Sequence, residues 1–301
     1  METLTFVARH CRAFAMSVAA ALIVSGAHAQ TDAGKKEIDL AFEAASKAKQ
    51  DGPASISLSD QASLKIPAQQ TYVPMPAAGT LMRAMGNRPD DRLQGIVLPL
   101  GQENWMVVVK FEKSGYVKDD DARDWNADDL LKSLKEGTES SNEDRKQRGL
   151  PEIEVVGWAE KPAYDATTHR LVWAAISRSK GTSDTNTGVN YNTYALGRDG
   201  YMSLNLVTGL KELESQKPIA RTLLANLEFS GGKRYADFNA STDKVAEYGL
   251  AALVAGVAAK KLGLFALLAV WALKFWKVGA LALVGLAAVL PKIFKRKPPA
   301  A

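Results

Sequence analysis

The stretch LGLFALLAVWALKFWKVGALALVGLAAVLPKIFKRK (262–297) constrains this chain most, because it is apolar enough for a membrane yet holds two lysines near its middle. A membrane-spanning helix needs about 20 mostly apolar residues. Residues 262–273 and 278–290 are each too short, which disfavours a hairpin of two crossings. A single helix over residues 262–283 has the required length, and the pattern predicts one transmembrane helix there.

The lysines of this stretch favour the membrane interface. Lys274 and Lys277 fall in the second half of the predicted helix, and each costs about 2.5–3.5 kcal/mol at the bilayer centre. Near the interface their long stems reach the headgroups, and tryptophan favours the same depth. The predicted interfacial residues are Lys260, Lys261, Trp271, Lys274, Trp276, Lys277, Lys292, Lys295, Arg296 and Lys297. Whether residues 278–290 lie in the span or in the interface stays open.

The N-terminus has the three parts of a secretory signal peptide in the right order. Arg9 and Arg12 precede the apolar run 13–26, and Ala27-His28-Ala29 forms an A-x-A cleavage site. We predict a signal peptide over 1–29 and a mature start at Gln30; the alternative is an uncleaved anchor.

The charge at the other end agrees with this orientation. Export of the body leaves the basic tail, residues 284–301, in the cytoplasm, as the positive-inside rule prefers. The predicted location is the inner (cytoplasmic) membrane, crossed once, with most of the protein in the periplasm and the C-terminus in the cytoplasm. The lipid bilayer is therefore an expected partner.

Charge and cysteine content exclude several functions. The net charge is +5, but removing +8 from residues 250–301 and +1 from residues 1–29 leaves −4 for the middle. A nucleic-acid-binding domain is expected to carry a basic face, so no nucleic acid is predicted as a partner. Cys11, the single cysteine, lies in the signal peptide. The mature chain then has no disulfide or thiol chemistry, and we predict no cofactor.

The body, residues 30–241, reads as one α+β domain with antiparallel hairpins and a few helices. Helical spacing covers 35–49, and Asn126 is placed to cap a helix over 126–149. A third helix is expected over 218–229, beginning at Pro218. Alternation predicts short strands in 55–66, 94–100 and 104–117, and hairpins over 152–178 and 190–207. In the second hairpin, Met202, Leu204 and Leu206 should share one face.

Residues 242–261 are predicted to form a helical membrane-proximal segment. Gly249, Gly256 and Gly263 recur every seven residues there. Such a stripe of small residues allows close helix approach in membranes, so self-association is one possible use. The alternative is that alanine and glycine are simply common in this segment.

Four strings resemble a bacterial family of predicted membrane-anchored proteins, the domain-of-unknown-function 2167 family. They are GWAEKPAYDATTHRLVWA (157–174), VNYNTYALGRDGYMSLNLV (189–207), GGKRYADFNASTDKVAEYGLAALVAG (231–256) and KKLGLFALLAVWALKFWK (260–277). The resemblance runs from about Leu58 to Lys297. It implies an anchored, exported bacterial protein and no activity, so it transfers no catalytic residues.

The residues give little support for catalysis or metal binding. His169 is the one histidine of the mature chain, so sites with two histidine ligands are excluded. Asp165 is four residues away and no G-x-S-x-G occurs, so we expect His169 to be structural or solvated. The acidic run KDDDARDWNADD (118–129) starts like a calcium loop, but Asp129 and Lys135 replace the required Gly and Glu. A charged loop with a helix cap is the preferred interpretation.

Aromatic and amide residues concentrate in the two predicted hairpins. Such groups suit sugars or peptides, and the candidate ligand or partner surface comprises Trp158, Trp173, Asn190, Asn192 and Tyr194. Asn190 and Asn192 should share a strand face that Tyr191 opposes. The alternative is that these residues are core and cross-strand pairs.

Two classes of function therefore remain. The favoured hypothesis is a non-enzymatic exported domain that contacts another envelope protein, a second copy of itself or the membrane. The alternative is a binding module or hydrolase for a cell-wall sugar or peptide. A concave pocket with converging polar groups would favour the second class, whereas a scaffold should show an exposed apolar patch or none.

Overall fold

The computed structural model describes residues 32–182 and 187–255. Its helices are α1 (Asp32–Ala48), α2 (Ala77–Ala84), α3 (Ala127–Gln147), α4 (Leu213–Ala225) and α5 (Ala251–Ala255). Its strands are β1 (Gln50–Asp51), β2 (Ala54–Leu58), β3 (Ala62–Ile66), β4 (Gln70–Pro74), β5 (Leu93–Pro99), β6 (Met106–Glu112), β7 (Ile153–Asp165), β8 (Arg170–Ser179), β9 (Gly188–Leu196), β10 (Tyr201–Gly209) and β11 (Leu227–Phe229). Short 3₁₀ turns occupy Asp120–Arg123 and Tyr235–Asp237. The mixed α+β fold with antiparallel sheets is confirmed.

The strands form two antiparallel sheets. The large sheet has eight strands in the order β1-β4-β5-β6-β10-β9-β8-β7, and β11-β3-β2 form a sheet of three. Most neighbours are consecutive hairpin partners, as the sequence pattern predicts. Three pairings join strands that are not consecutive: β1 with β4, β3 with β11 and, in the centre of the large sheet, β6 with β10. The pairing of β6 with β10 places the β5–β6 hairpin beside the β9–β10 hairpin.

Side chains point alternately to the two faces of the large sheet. One face, called the sealed face, is packed against a helix and the small sheet, and the other, called the divided face, is covered by helices in two separate areas. On the sealed face, alternate residues of β6, β9 and β10 pack against α4 and the small sheet; Tyr191, Leu204 and Leu206 are fully buried there. On the other face, α1 and α2 cover β4 to β6, and α3 and α5 cover β8 and β9. The space between these two covered areas becomes a cleft.

The predicted local patterns have clear structural counterparts. Ala41, Phe42 and Ala45 form the buried side of α1, and Met202 joins Leu204 and Leu206 on the sealed face of β10. The Asn126 side chain accepts hydrogen bonds from the amides of Asp128 (2.8 Å) and Asp129 (3.3 Å), which confirms it as the cap of α3.

The prediction of a helix that begins at Pro218 is wrong. The helix begins at Leu213, and Pro218 lies inside it. Tertiary contacts extend the helix, because Leu213 is buried in the core and the buried Gln216 side chain accepts a hydrogen bond from Thr208. The predicted helix also ends too late, since Leu227–Phe229 instead pair with β3. Strand β4 and helix α2 were not predicted, because Pro74 and Pro76 interrupt the periodicity of that region.

Residues 242–255 pack onto the body of the domain. Lys244 and Ala246 exchange backbone hydrogen bonds with Tyr116, and Arg198 binds Asp243 through Nε (2.6 Å) and Nη2 (2.7 Å). Asp121 accepts hydrogen bonds from the amides of Leu250 and Ala251, both at 3.0 Å. Leu250, Leu253 and Val254 are buried in the cluster around α3.

None of the helices described here combines the length and the apolar character that a bilayer crossing requires. The predicted signal peptide, the span over 262–283 and the basic tail lie outside the described residues. The same holds for Gly256, Gly263 and every lysine, arginine and tryptophan of the predicted membrane interface.

A ligand-sized cleft with an amide floor

A cleft of about 430 Å³ lies on the divided face of the large sheet. One wall is formed by Met82 at the end of α2 and by Met85 and Gly86 just beyond it. Arg145, near the end of α3, and the following Leu150 and Ile153 form the other. Strands β6, β10, β9 and β8 form the floor. Ligand pockets commonly have volumes of about 300–1,000 Å³, so a small molecule or a short peptide segment fits.

Polar side chains form the floor of the cleft, because the residues that alternate with the sealed face point into it. Asn205 on β10 lies directly opposite Asn192 on β9, and Ser203 lies between Lys110 and Tyr194. Asn190 is opposite Val207. Adjacent strands in a sheet are less than about 5 Å apart, so the amides of Asn190, Asn192 and Asn205 form one contiguous patch.

The amides hold one another in place and leave one oxygen without a partner. Asn205 Nδ2 donates to Asn190 Oδ1 at 3.2 Å, and Asn192 Nδ2 donates to the Asn190 carbonyl at 3.0 Å. Asn205 Oδ1 is inaccessible and accepts no hydrogen bond from the described residues. A buried polar atom left unpaired costs about 1–3 kcal/mol.

The β6 end of the cleft carries balanced charges. Asp90 contacts Arg92 at 2.7 Å and Lys110 at 2.8 Å, and Arg92 also contacts Glu112 at 3.0 Å. Burial alone would raise the pKa of Asp90, but hydrogen bonds from Arg92 and Lys110 outweigh it and hold that pKa well below 3.8. Two cations thus face two carboxylates, and this end is close to neutral.

Tyr194 connects the cleft to residues 242–255, called here the C-terminal segment. Its ring lines the cleft beside Tyr201, 5.7 Å away between centroids, and its hydroxyl donates to the Leu253 carbonyl at 3.3 Å. Burial raises the pKa of both tyrosines, so the two hydroxyls stay neutral at physiological pH and act as hydrogen-bonding groups.

The five predicted surface residues divide into two groups. Asn190, Asn192 and Tyr194 line the cleft. Trp173 is buried against α3, and Trp158 packs edge-on against it at 5.8 Å, with its indole N–H donating to the Ala127 carbonyl at 3.1 Å. The two tryptophans therefore pack against each other and are not among the residues that line the cleft.

The predicted opposition of Tyr191 to the asparagines is confirmed. Tyr191 is fully buried on the sealed face, where Arg221 Nε donates to its hydroxyl at 2.8 Å. Among the cleft residues that sequence reasoning missed are Lys110, Arg145, Ser203 and Asn205. The alternation of β10 could have revealed Ser203 and Asn205, because they interleave with the predicted apolar face. No local sequence pattern could have predicted that Lys110 and Arg145 line the same cleft.

His169 lies away from the cleft, in the turn between β7 and β8. Its backbone has a positive φ of 52°, and its Nδ1 is 3.2 Å from the Tyr164 hydroxyl and 3.6 Å from Asp119 Oδ2. Its ring packs 4.1 Å from that of Tyr235. Asp165 does not orient the imidazole, because its carboxylate accepts hydrogen bonds from Thr167 and Thr168 within the turn.

The acidic run 118–129 serves structural contacts. Asp119 accepts a hydrogen bond from Tyr164 at 2.7 Å, Asp121 caps α5, and Asn126 caps α3. Within 32–182 and 187–255, no three metal-binding side chains come together.

Comparisons with solved structures give weak similarities only. Cyanobacterial PsbP (CyanoP) from Synechocystis sp. PCC 6803 aligns at 10% identity over 60% of this chain and 91% of its own, with a TM-score of 0.37. The Ran-binding protein Mog1p of Saccharomyces cerevisiae aligns at 13% identity over 60% and 96%, with a TM-score of 0.32. These scores support no argument about fold or function.

A comparison with sequence-family models is informative. No curated protein sequence matches the chain. The model of one family, described as "Protein of unknown function (DUF2167)", matches residues 50–285, well over half of the 301 residues. The match includes the strands of the cleft floor, β6, β8, β9 and β10. It also includes the segment around Leu253, which accepts a hydrogen bond from Tyr194. The chain therefore belongs to the DUF2167 family.

Proposed function

We propose that this domain binds a small polar ligand, a sugar or a short peptide, in the amide-floored cleft. The observation that carries the proposal is the contiguous patch of Asn190, Asn192 and Asn205 on the cleft floor. A concave site with converging polar groups distinguishes a ligand binder from a scaffold. Asparagine amides supply donors and acceptors together, which suits hydroxyl and peptide groups.

Among the described residues, the exposed apolar side chains form no patch that would positively support a scaffold. Large apolar side chains that are at least one-third exposed come singly from separate segments of the described chain: Leu40, Met75, Leu100, Val156, Leu210 and Val245. Isolated apolar residues are normal on protein surfaces and do not mark a docking patch. The cleft is therefore the stronger candidate for the working surface.

Binding without chemical conversion is the proposed activity. Glu112 is the one carboxylate among the described residues that line the cleft, and Arg92 donates to it at 3.0 Å. Glycoside hydrolysis generally needs two carboxylates across the scissile bond. A serine nucleophile needs a base within hydrogen-bond reach, and His169 lies outside the cleft.

We further propose that the domain works on the outer side of the cytoplasmic membrane. Support comes from the signal-peptide pattern in 1–29, the apolar stretch 262–283 and the basic cluster after it. In this arrangement the C-terminal segment connects the ligand-binding domain directly to its membrane anchor.

Calorimetric titration of the full chain in detergent with short peptides and oligosaccharides tests the proposed function. Asn205→Ala should weaken the ligand that binds by about 5–30-fold, because one or two hydrogen bonds of about 1 kcal/mol each are lost. Gln50→Ala, which removes an exposed amide on the edge strand β1, is the matched control and should bind normally. Equal effects of the two substitutions, or no binding by any probe, would contradict the proposal.

A further inference from the structure

The strand register divides the cleft floor into an apolar strip and an amide strip. In two successive rungs across the sheet, β6 contributes an apolar residue and β9 contributes an asparagine. From β6 through β10 to β9, the rungs are Val108, Asn205 and Asn192, and then Met106, Val207 and Asn190. Met82 and Met85 of the adjoining wall pack in the same apolar cluster as Met106. A ligand therefore meets apolar groups on the α2 side of the floor and amides on the β9 side.

The amide strip offers one donor and one acceptor to a ligand. Asn190 Oδ1 and Asn192 Nδ2 are engaged within the floor, whereas Asn190 Nδ2 and Asn192 Oδ1 make no hydrogen bond to any described residue. Neither of these two atoms is sealed off in the way that Asn205 Oδ1 is. Residues two apart on a strand are separated by about 6.4–6.8 Å, so the donor and the acceptor are spaced by about one two-residue repeat.

The charged side chains of the cleft are already engaged within the domain. Lys110 and Arg92 contact Asp90, and Arg92 also contacts Glu112. Arg145 donates to a backbone carbonyl at 2.7 Å and has a further interaction of its own. A charged ligand would lose hydration without gaining an unpaired counter-charge among the described residues. These contacts therefore favour an uncharged ligand.

We propose that the cleft binds an uncharged segment of peptide in an extended conformation, with its backbone over the amide strip and an apolar side chain against Met82 and Met85. This inference rests on the proposed function and specifies the ligand class. In an extended chain, the N–H and C=O groups of alternate residues point to the same side with the repeat of a strand. They therefore match the spacing of Asn190 Nδ2 and Asn192 Oδ1.

The shape of the cleft suits the same ligand. Side chains of an extended peptide point alternately to its two sides, so one set faces the α2 wall while the backbone lies on the floor. Met106 to Lys110 spans four residue steps of β6, or about 13 Å, which accommodates about four extended residues. Methionine adapts to aliphatic groups of different shape. A sugar would instead place hydroxyl groups against the apolar strip, where burial without a partner is costly.

Matched probes test the ligand class. The full chain, in a detergent without a sugar head group, is titrated by calorimetry with acetyl-Ala-Leu-Ala-amide, acetyl-Ala-Ser-Ala-amide and the neutral disaccharide diacetylchitobiose. The leucine peptide should bind at least about fivefold more tightly than the serine peptide, because its side chain buries more apolar surface. Its affinity should not fall as sodium chloride is raised, because no ion pair forms.

The outcomes separate this inference from the proposed function. Binding of the disaccharide alone, or equal binding of the two peptides, would overturn the apolar peptide as ligand and leave the ligand cleft in place. Failure of all three probes to bind would overturn both.

Variants test the two strips. Asn190→Asp keeps the oxygen that accepts from Asn205 but removes the free donor, and it should weaken the leucine peptide at least about fivefold. Gln50→Glu makes the same exchange on the exposed strand β1 and should not weaken binding. Met82→Gln should reduce the preference for leucine over serine, whereas Met75→Gln, at an exposed position before α2, should leave it unchanged. Equal effects of a variant and its control would overturn the proposed binding mode.

Discussion

Asp121 shows how one side chain fixes the path of a segment. Its two oxygens accept hydrogen bonds from the amides of Leu250 and Ala251, each at 3.0 Å, at the start of α5. The amides at a helix start have no partners inside the helix. Asp121 therefore does for α5 what Asn126 does for α3, but from a distant part of the chain.

We predict that Asp121→Ala lowers the free energy of unfolding by about 1–2 kcal/mol, the usual range for the loss of a helix cap. Urea unfolding followed by circular dichroism measures the change. Asp120→Ala is the control, because Asp120 is exposed on the same 3₁₀ turn. If the two substitutions cost the same, the cap is not what stabilises this segment.

Gly200 is a second residue on which the architecture depends. It ends the turn between β9 and β10 with a φ of 154°, and a Cβ there would lie 1.9 Å from the Glu112 carbonyl oxygen. Only glycine allows the turn to approach β6 this closely. The central pairing of β10 with β6, and with it the cleft floor, requires this residue.

At the scale of elements, the contact between the β9–β10 turn and the C-terminal segment is charged. Arg198 binds both oxygens of Asp243, and these hydrogen bonds hold the pKa of Asp243 well below 3.8. A carboxyl with a lowered pKa in the folded state stabilises the fold above its unfolded pKa. That contribution is lost as the pH falls from about 3.8 through the folded value.

We therefore predict a pH-dependent coupling between these two residues. A double-mutant cycle with Arg198→Gln and Asp243→Asn, measured by urea unfolding, should give a favourable coupling energy at pH 7 and a smaller one at pH 3. Chemical shifts of the Asp243 carboxyl during acid titration provide an independent check. A coupling that is the same at both values would show that the ion pair does not hold this segment.

Local patterns predicted most elements, and their failures have physical causes. The alternation of apolar and polar residues was sufficient to predict strands β9 and β10, because each strand has one apolar face. Asn126 could be identified as a helix cap because capping is a contact between residues that are close in sequence. The predicted helix start at Pro218 was wrong because Leu213 and Gln216 pack in the core. Their contacts extend α4 toward the N-terminus, beyond a residue that usually begins a helix. Tertiary packing commonly overrides local preference in this way.

The candidate site was only half predictable for the same reason. Asn190, Asn192 and Tyr194 come from one hairpin, and their shared face follows from strand geometry. Arg145 and Lys110 reach the cleft only through the pairing of β6 with β10 and the docking of α3 on β7. Such contacts between distant segments leave no periodic signal in a single sequence.

At the scale of the whole molecule, the orientation across the membrane gives the next prediction. An export-dependent reporter fused after Ala255 should be active and one fused after Lys297 inactive, because the predicted signal peptide should export the body and the basic tail should stay inside. Ala255 is the right fusion point, since residues 242–255 are packed into the domain. Activity at both positions would exclude the single crossing and favour a hairpin or a surface-bound chain.

Replacement of Lys274 and Lys277 by leucine is the companion test. Insertion should become more complete, because each lysine costs up to about 2.5–3.5 kcal/mol near the bilayer centre. The orientation should be unchanged, because the tail lysines remain. A reversal of reporter activity would show that these two lysines, and not the tail, determine the topology.

The docking of α5 also limits how far the domain can stand from the lipid. Seven residue steps separate Ala255 from the predicted start of the span at Leu262, and a fully extended chain covers at most about 3.6 Å per step. With the predicted span, Ala255 would lie within about 25 Å of the bilayer surface. We expect the ligands of the domain to be molecules that are attached to the membrane surface or that diffuse along it.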